Sequence, residues 1–129
     1  MDTVGDMLIR IKNAQIRHHE SVVLPYSSMK LNIAKLLQKE GYVESVKMVK
    51  DKKLDNLLIG LSYNSDATPK VSAVKRVSKP GRRVYAGWQK LPVVLNGMGI
   101  AIVSTSKGIM TARQAKKEKL GGEIICEMY

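Results

Sequence analysis

The side chains best suited to chemistry lie in one short segment, residues 104–108. In order they are Ser104, Thr105, Ser106 and Lys107, followed by a glycine. A hydroxyl both donates and accepts hydrogen bonds, and an ammonium donates three, so this group can bind phosphates, ribose hydroxyls and base edges. The segment follows an apolar run and precedes a capping pattern, which predicts a strand-to-helix loop beside a helix N-terminus, where anions bind. These residues suit RNA better than a simple charge would.

Catalytic and metal-binding functions have little support in the sequence. A P-loop places a glycine-rich run before Lys and a following Ser or Thr, and Lys107 lacks that spacing. A serine nucleophile needs a base and an acid, whereas the only histidines, His18 and His19, follow the first predicted helix. The single cysteine, Cys126, lies in an apolar run typical of a buried thiol and cannot complete a tetrahedral metal site with two adjacent histidines. We therefore predict no enzyme, no cofactor and no metal.

The charge distribution favours a polyanionic partner. The 129 residues carry 22 Lys and Arg against 11 Asp and Glu, a formal net charge of +11. Residues 1–64 contribute +3 and residues 65–129 contribute +8, and no acid occurs in residues 67–117. Because that stretch also contains many Val and Ile residues, we expect a folded basic surface rather than a flexible basic arm. Such a surface is typical of a protein that lies against phosphates; the alternative is a generally basic protein with no specific partner.

Hydrophobic spacing predicts the elements of the first half. It indicates a helix over residues 4–17, an extended piece over 21–24, a second helix that begins after Ser27 or Ser28 and ends at Gly41, and a hairpin. The hairpin strands are predicted over residues 42–49 and 56–63. The exposed side of the first helix carries basic and amide side chains that fit a phosphate backbone: Arg10, Lys12, Asn13 and Arg17.

The second half has a different pattern. Residues 64–69 are polar and end in proline, which predicts a boundary between an N-terminal domain, 1–64, and a C-terminal domain, 65–129. The strands predicted beyond it cover 71–77, 83–85, 91–95, 100–103 and 123–128, with turns at Lys79-Pro80-Gly81 and Asn96-Gly97 and a short helix over 111–120. The predicted fold class is α+β, an α/β two-domain protein with a helix-strand-helix-strand-strand unit followed by a mainly β unit with one short helix.

Two aromatic residues lie close together in the basic half. Tyr85 follows Arg82 and Arg83, and Trp88 comes three residues later. An exposed aromatic ring beside an arginine can stack on an unpaired base, so we predict that Tyr85 is on the surface. For Trp88 a place in the core, or over a strand, is at least as well supported.

Specific motifs follow one another through the whole chain. They are Asp6-Met7-Leu8, Arg10-Ile11-Lys12-Asn13-Ala14, Ser78-Lys79-Pro80-Gly81, Arg83-Val84-Tyr85, Asn96-Gly97-Met98-Gly99-Ile100, Ser104-Thr105-Ser106-Lys107-Gly108 and Gly121-Gly122-Glu123. In residue type and order the chain resembles the family of small-subunit ribosomal protein number eight.

The resemblance implies two small α/β domains, no enzymatic activity, and binding to the central domain of small-subunit ribosomal RNA early in assembly of the platform. It also implies contacts with ribosomal proteins five and two and, in bacterial members, repression of the protein's own operon through its mRNA. An acidic start and the absence of an apolar stretch of roughly 20 residues lead us to expect a cytoplasmic protein without a membrane span. We expect it to be monomeric when free and to come from a bacterium or from an organelle that encodes its own copy.

The expected RNA-binding residues come from both halves of the chain. Those of the C-terminal half are Ser104, Thr105, Ser106, Lys107, Tyr85, Arg83, Lys79 and Glu123, and those of the N-terminal half are Lys12, Asn13 and Lys30, with Arg10 and Arg17 beside them. Glu123 is the one acid, and a carboxylate accepts hydrogen bonds from base amino groups or orients neighbouring hydroxyls. The rivals are a nucleic-acid-processing enzyme, which lacks its acid–base or metal cluster here, and a duplex-DNA module, which lacks a convincing recognition helix.

Overall fold

The first part of the chain alternates helices and strands. In the computed structural model, which describes residues 3–50 and 54–129, its elements are α1 (Thr3–Ile16), β1 (Ser21–Pro25), α2 (Ser28–Lys39), β2 (Val43–Lys50) and β3 (Asp55–Leu61). The three strands form an antiparallel sheet in the order β1-β3-β2. The predicted helices and hairpin strands are confirmed, and the turn between β2 and β3 lies partly outside the described residues.

Helical spacing places the apolar side chains of α1 and of α2 on buried faces. Met7, Leu8 and Ile11 of α1 and Ile33 and Leu37 of α2 are all buried, and residues three or four apart within each helix share a face. The Ser27 hydroxyl accepts a hydrogen bond from the Lys30 amide and caps α2 at its start. Gly41, with a φ of 84°, follows the helix end in the left-handed conformation that glycine adopts at lowest cost.

A buried glutamine connects distant parts of this unit. The Gln15 side-chain amide donates to the carbonyl oxygens of Tyr42, at 3.1 Å, and Ser62, at 3.3 Å, and its oxygen accepts from the Val71 amide at 2.9 Å. Every polar atom of this buried side chain therefore has a partner. The bond to Val71 keeps the chain in the first unit, Thr3–Ser72, past the predicted boundary after residue 64.

The second unit, Ala73–Tyr129, is mainly β. Its elements are β4 (Val74–Arg76), β5 (Tyr85–Ala86), β6 (Ile100–Thr105), β7 (Gly108–Thr111), α3 (Ala112–Lys117) and β8 (Gly122–Met128), with short 3-10 helices at Trp88–Lys90 and Leu95–Gly97. The antiparallel sheet has the order β4-β8-β6-β7, and β5 also pairs with β8. Each unit combines helix with antiparallel sheet, so the predicted α+β fold class is confirmed.

One face of the second sheet is covered by α3. Val103 of β6 and Ile124 of β8 pack in one cluster with Ala112 and Ala115 of α3, and Trp88 lies partly buried against it. The Thr111 hydroxyl accepts a hydrogen bond from the Gln114 amide at 3.2 Å and so caps α3. Trp88 packs against the core without being fully buried in it, and the cap at the start of the short helix is confirmed.

Two predicted strands differ from the structure. The strand expected over 71–77 is reduced to β4, and residues 91–95 form no strand. Leu91 and Val94 are buried while Val93 is exposed, a spacing of three that an extended strand does not produce. Pro92 also lacks the N–H that a sheet requires, so the prediction for 91–95 was wrong.

Candidate nucleic-acid interface

The hydroxyl-rich segment is the turn of a β-hairpin. Thr105 and Gly108 are the last paired residues of β6 and β7, which leaves Ser106 and Lys107 as a two-residue turn. The Thr105 hydroxyl accepts from the Lys107 amide at 3.2 Å and donates to the Gly108 carbonyl at 2.8 Å. The expectation of a strand-to-helix loop was wrong, because β7 lies between this turn and α3. Ser106 and Lys107 are exposed at the tip.

Three of the expected RNA-binding residues lie side by side across three strands. Tyr85 of β5 pairs with Glu123 of β8, and Glu123 pairs with Ser104 of β6. Residues directly opposite one another in an antiparallel sheet project their side chains from the same face. We call this set of three the cross-strand row. It brings together a phenol ring, a carboxylate and a hydroxyl from residues that are far apart in the sequence.

The cross-strand row projects from the sheet face opposite α3. Successive residues of a strand point to opposite faces. Val103 and Ile124 adjoin Ser104 and Glu123 in the chain, and both pack in the cluster that includes α3. The row is therefore on the side of the sheet that α3 leaves uncovered, where its polar groups can meet a ligand.

The carboxylate of the row is held by an arginine. The Arg83 Nη1 atom lies 3.3 Å from Glu123 Oε2, and the Glu123 side chain is 17% exposed against 45% for Arg83. Since both groups reach solvent, the pair adds little to stability, but it restricts where the carboxylate points. Arg83, expected as a direct RNA contact, thus has a protein partner in this structure.

Tyr85 presents its ring to solvent. The residue is 69% exposed, although its backbone is paired with β8. The predicted surface position is confirmed. An exposed ring on an anchored backbone suits base stacking, because the ring is accessible and its Cα position is fixed by the sheet.

A buried serine, Ser78, which had no predicted role beyond its place in a motif, shapes the approach to Tyr85. The Ser78 hydroxyl accepts from the Val84 amide at 2.8 Å and donates to the Val84 carbonyl at 3.2 Å. Between these residues, Lys79 and Arg82 exchange two backbone hydrogen bonds of 2.9 Å in a tight turn, with both side chains exposed. Ser78 thereby fixes the loop that ends at Arg83 and Tyr85. Its place before Lys-Pro-Gly was the only sequence signal.

Two glycines let the strands approach closely beside the row. A Cβ atom on Gly122 would collide with the carbonyl oxygen of Ser104, and one on Gly121 would lie 2.7 Å from the Ala86 carbonyl oxygen. Both contacts are with backbone, which cannot turn aside as a side chain can. The sequence showed Gly121 and Gly122 only as part of a motif after the helix predicted over 111–120, whereas the structure shows that they allow the strand pairing that aligns Glu123 with Ser104.

The basic residues expected on the first helix are on its surface. Arg10, Asn13 and Arg17 are exposed, and Lys12 is half-buried. The Arg10 Nε atom pairs with the Asp6 carboxylate at 3.1 Å, one turn earlier on α1. These side chains form a polar stripe in the N-terminal unit.

Lys30 is not part of the exposed set. It is only 7% exposed, and its ammonium donates to the Pro25 carbonyl oxygen at 3.3 Å. Its position in the first turn of α2 turns the side chain back towards the end of β1. Lys30 is therefore set apart from the exposed cations by its burial, and its contact with RNA stays a prediction.

Other chemistry finds no matching arrangement in the described residues. Within residues 3–50 and 54–129, no three His, Cys, Asp or Glu side chains come together as a metal site requires. Burial raises the pKa of the Cys126 thiol to about 12, which keeps it protonated and unreactive at neutral pH. Among the described helices, none combines the length and apolarity needed to cross a membrane.

Comparison with known proteins gives a consistent result over the full length. The model of the family "Ribosomal protein S8" matches residues 2–129. A protein of Spiroplasma kunkelii is 53% identical over 129 residues, which cover 100% of this chain and 98% of the relative. Relatives from Caldanaerobacter subterraneus subsp. tengcongensis and Anaeromyxobacter sp. (strain K) are 51% and 47% identical over 128 residues, covering 99% of this chain and 97% of each relative. All three carry the name small ribosomal subunit protein uS8. This chain belongs to the ribosomal protein S8 family.

Proposed function

We propose that this chain, a structural constituent of the small ribosomal subunit, binds the central domain of the subunit's RNA directly and helps to assemble the platform. The observation that carries the proposal is the cross-strand row of Tyr85, Glu123 and Ser104 beside the exposed tip of Ser106 and Lys107. A stacking ring, an acceptor and several hydroxyls on one surface match the groups that unpaired bases and ribose hydroxyls present.

Affinity and discrimination come from different residues in this proposal. The exposed cations Lys79, Arg82 and Lys107 approach phosphates, which gives affinity that depends on salt and not on sequence. The hydroxyls of Ser104 and Ser106 and the ring of Tyr85 discriminate, because they read groups that a regular duplex does not expose. In the N-terminal unit, Arg10, Lys12, Asn13 and Arg17 would add contacts to RNA backbone.

Family membership supports the general partners, and the finer ones are part of this proposal. The chain works with ribosomal RNA and other ribosomal proteins, and proteins five and two are the neighbours that we propose. We also propose that it is cytoplasmic, not an enzyme, monomeric when free, and able to repress its own operon by binding an mRNA site that imitates the rRNA site.

A salt-titrated comparison of three nucleic acids tests the proposal. The full chain is titrated against a structured fragment of the central domain of small-subunit rRNA, a random RNA duplex and a DNA duplex. The proposal predicts that the structured fragment binds at least about 10³-fold more tightly than either duplex at physiological salt. Affinity for each of the three nucleic acids should fall with salt at a similar slope, because all three are contacted through phosphates. Equal affinity for the three would contradict it, and preference for the DNA duplex would favour the rival DNA-binding module.

A further inference from the structure

The exposed side of α3 is a basic surface. Ala112 and Ala115 face the sheet at a spacing of three residues, so Arg113 and Lys117, four residues apart, lie on the side that faces away. Both are exposed; Lys116, half-buried, and the exposed Lys119 flank them. We call Arg113, Lys116, Lys117 and Lys119 the α3 basic face.

The cations of the α3 basic face have no carboxylate partner within residues 3–50 and 54–129. The one acid in this part of the chain, Glu118, accepts a hydrogen bond of 2.9 Å from the side-chain amide of Gln114. No ion pair is formed between Glu118 and any of the four cations in the described structure. The four charges can therefore meet an external anion without first breaking an internal pair.

Helix stability accounts for some of these cations but not for all. Lys116 and Lys117 lie in the last turn of α3, where the helix dipole favours positive charge. Arg113 lies in the first turn, where the same dipole disfavours it, and no acid accompanies it there. The position of Arg113 is therefore better explained by something outside the helix.

The α3 basic face and the cross-strand row point in opposite directions. Val103 and Ser104 are neighbours on β6, and Val103 packs in the cluster with α3 while Ser104 belongs to the row. A straight duplex that lies along the row would leave Arg113 and Lys117, on the far side of α3, facing away from it. Phosphates that meet those side chains would then belong to another segment of nucleic acid.

We propose that the α3 basic face binds the phosphate backbone of a second RNA segment while the cross-strand row binds the first. The C-terminal unit would then join two RNA segments, one on each side of its sheet. Contacts made only to phosphate carry no sequence information, so the second segment is recognised as an RNA backbone and not by its bases. The identity of the first segment rests on the proposed function above; the second contact does not.

A capture experiment tests this arrangement with the full chain. A structured central-domain rRNA fragment is immobilised and saturated with protein, excess protein is removed, and a labelled random RNA duplex is added. Wild-type protein should retain the duplex in a salt-sensitive manner. The double variant Arg113→Gln and Lys117→Gln should retain at least about tenfold less, while its affinity for the immobilised fragment falls less than about threefold.

A control variant with the same loss of charge distinguishes a local binding site from an effect of the overall charge. Lys35 and Lys39 of α2 are exposed and outside both surfaces, so Lys35→Gln with Lys39→Gln removes the same charge. This control should capture the duplex like wild type. Equal losses in both double variants, or no capture by wild type, would overturn the proposal. So would retention of labelled poly-glutamate in place of the duplex, which would assign the face to an acidic protein.

Binding of a random duplex in solution tests the α3 basic face independently of the proposed function. Binding of the random RNA duplex alone is followed against salt for wild type and both double variants. The α3 variant should lower the slope of log K against log salt by up to about two, and the α2 control should not. If the structured fragment is not bound specifically, the proposed function fails, yet this slope still decides whether the α3 basic face contacts phosphates. An unchanged slope would overturn the inference in either case.

Discussion

Glu123 on β8 lies directly opposite Ser104 on β6, and Arg83 holds its carboxylate at 3.3 Å. The structure thus sets the single acid of this basic surface beside a hydroxyl, with its direction restricted by an arginine. A carboxylate only accepts hydrogen bonds, so Glu123 selects donor groups of a ligand. The Ser104 hydroxyl both donates and accepts, so it can pair with either kind of group. Phosphates, which offer acceptors only, would not be favoured at Glu123.

Replacing Glu123 by Gln should separate specific from general RNA binding. The change replaces one acceptor oxygen by an NH2 donor and removes the charge that pairs with Arg83, so affinity for the structured fragment should fall by about 1–3 kcal/mol. Affinity for a random duplex should stay level or rise, because the surface becomes more positive. Glu127→Gln, the same charge change elsewhere on β8, serves as the control. Similar effects of the two variants in a binding titration would count against a role for Glu123 in recognition.

The ring of Tyr85 is expected to act on binding and not on folding. Tyr85→Leu should cost about 1–3 kcal/mol in binding of the structured fragment, because the stacking surface is lost, and Tyr85→Phe should keep most of the affinity. Because the side chain is 69% exposed, urea unfolding should change by less than about 0.5 kcal/mol. Trp88→Leu, at a partly buried ring that packs against the core cluster, should show the opposite pattern: lower stability and little change in binding. If Tyr85→Phe lost as much binding affinity as Tyr85→Leu, the effect would belong to the hydroxyl and not to the ring.

Gly122 should tolerate no side chain. Gly122→Ala places a Cβ atom against the carbonyl oxygen of Ser104, and we expect it to destabilise the fold by about 1–3 kcal/mol as the strands move apart. Gly87→Ala is the matched control, because its Cβ would meet open space. Urea denaturation of both variants provides the measurement. Equal stabilities would show that β6 and β8 can separate at no cost.

Cys126 should make stability fall at alkaline pH. Its folded pKa is raised to about 12 by burial from an ordinary value of 9.0, so between these values the unfolded chain releases a proton that the folded chain retains. Stability from this group is full below pH 9 and declines above it, by at most about 1.4 kcal/mol per pH unit. Cys126→Ala should flatten this part of the curve in unfolding experiments from neutral to alkaline pH. An unchanged alkaline slope would contradict the burial effect.

The regular elements could be predicted because their patterns are long. The buried stripe of α1, the serine cap and glycine end of α2, and the two hairpin strands each depend on residues near one another in sequence. The strand prediction for residues 91–95 was wrong because a short apolar run has no clear period. Pro92 and the buried pair Leu91 and Val94 favour an irregular segment.

The candidate site could be predicted in composition but not in arrangement. Nothing local places Ser104 opposite Glu123; their pairing depends on a register shift after Ile102 and on the close approach allowed by Gly122. The burial of Lys30 likewise follows from where α2 packs, because a lysine in a first helical turn is exposed on most proteins. Residue types thus indicated the chemistry, and long-range packing decided which side chains share a surface.

Binding of the Ser104→Ala and Ser106→Ala double variant to two RNAs tests the central claim most directly. Full-length wild type and variant are titrated with the structured central-domain fragment and with a random RNA duplex at one salt concentration. If the hydroxyls carry recognition, the variant loses about 1–3 kcal/mol on the structured fragment and little on the duplex. Equal losses on the two RNAs, or no loss on the structured fragment, would contradict the claim.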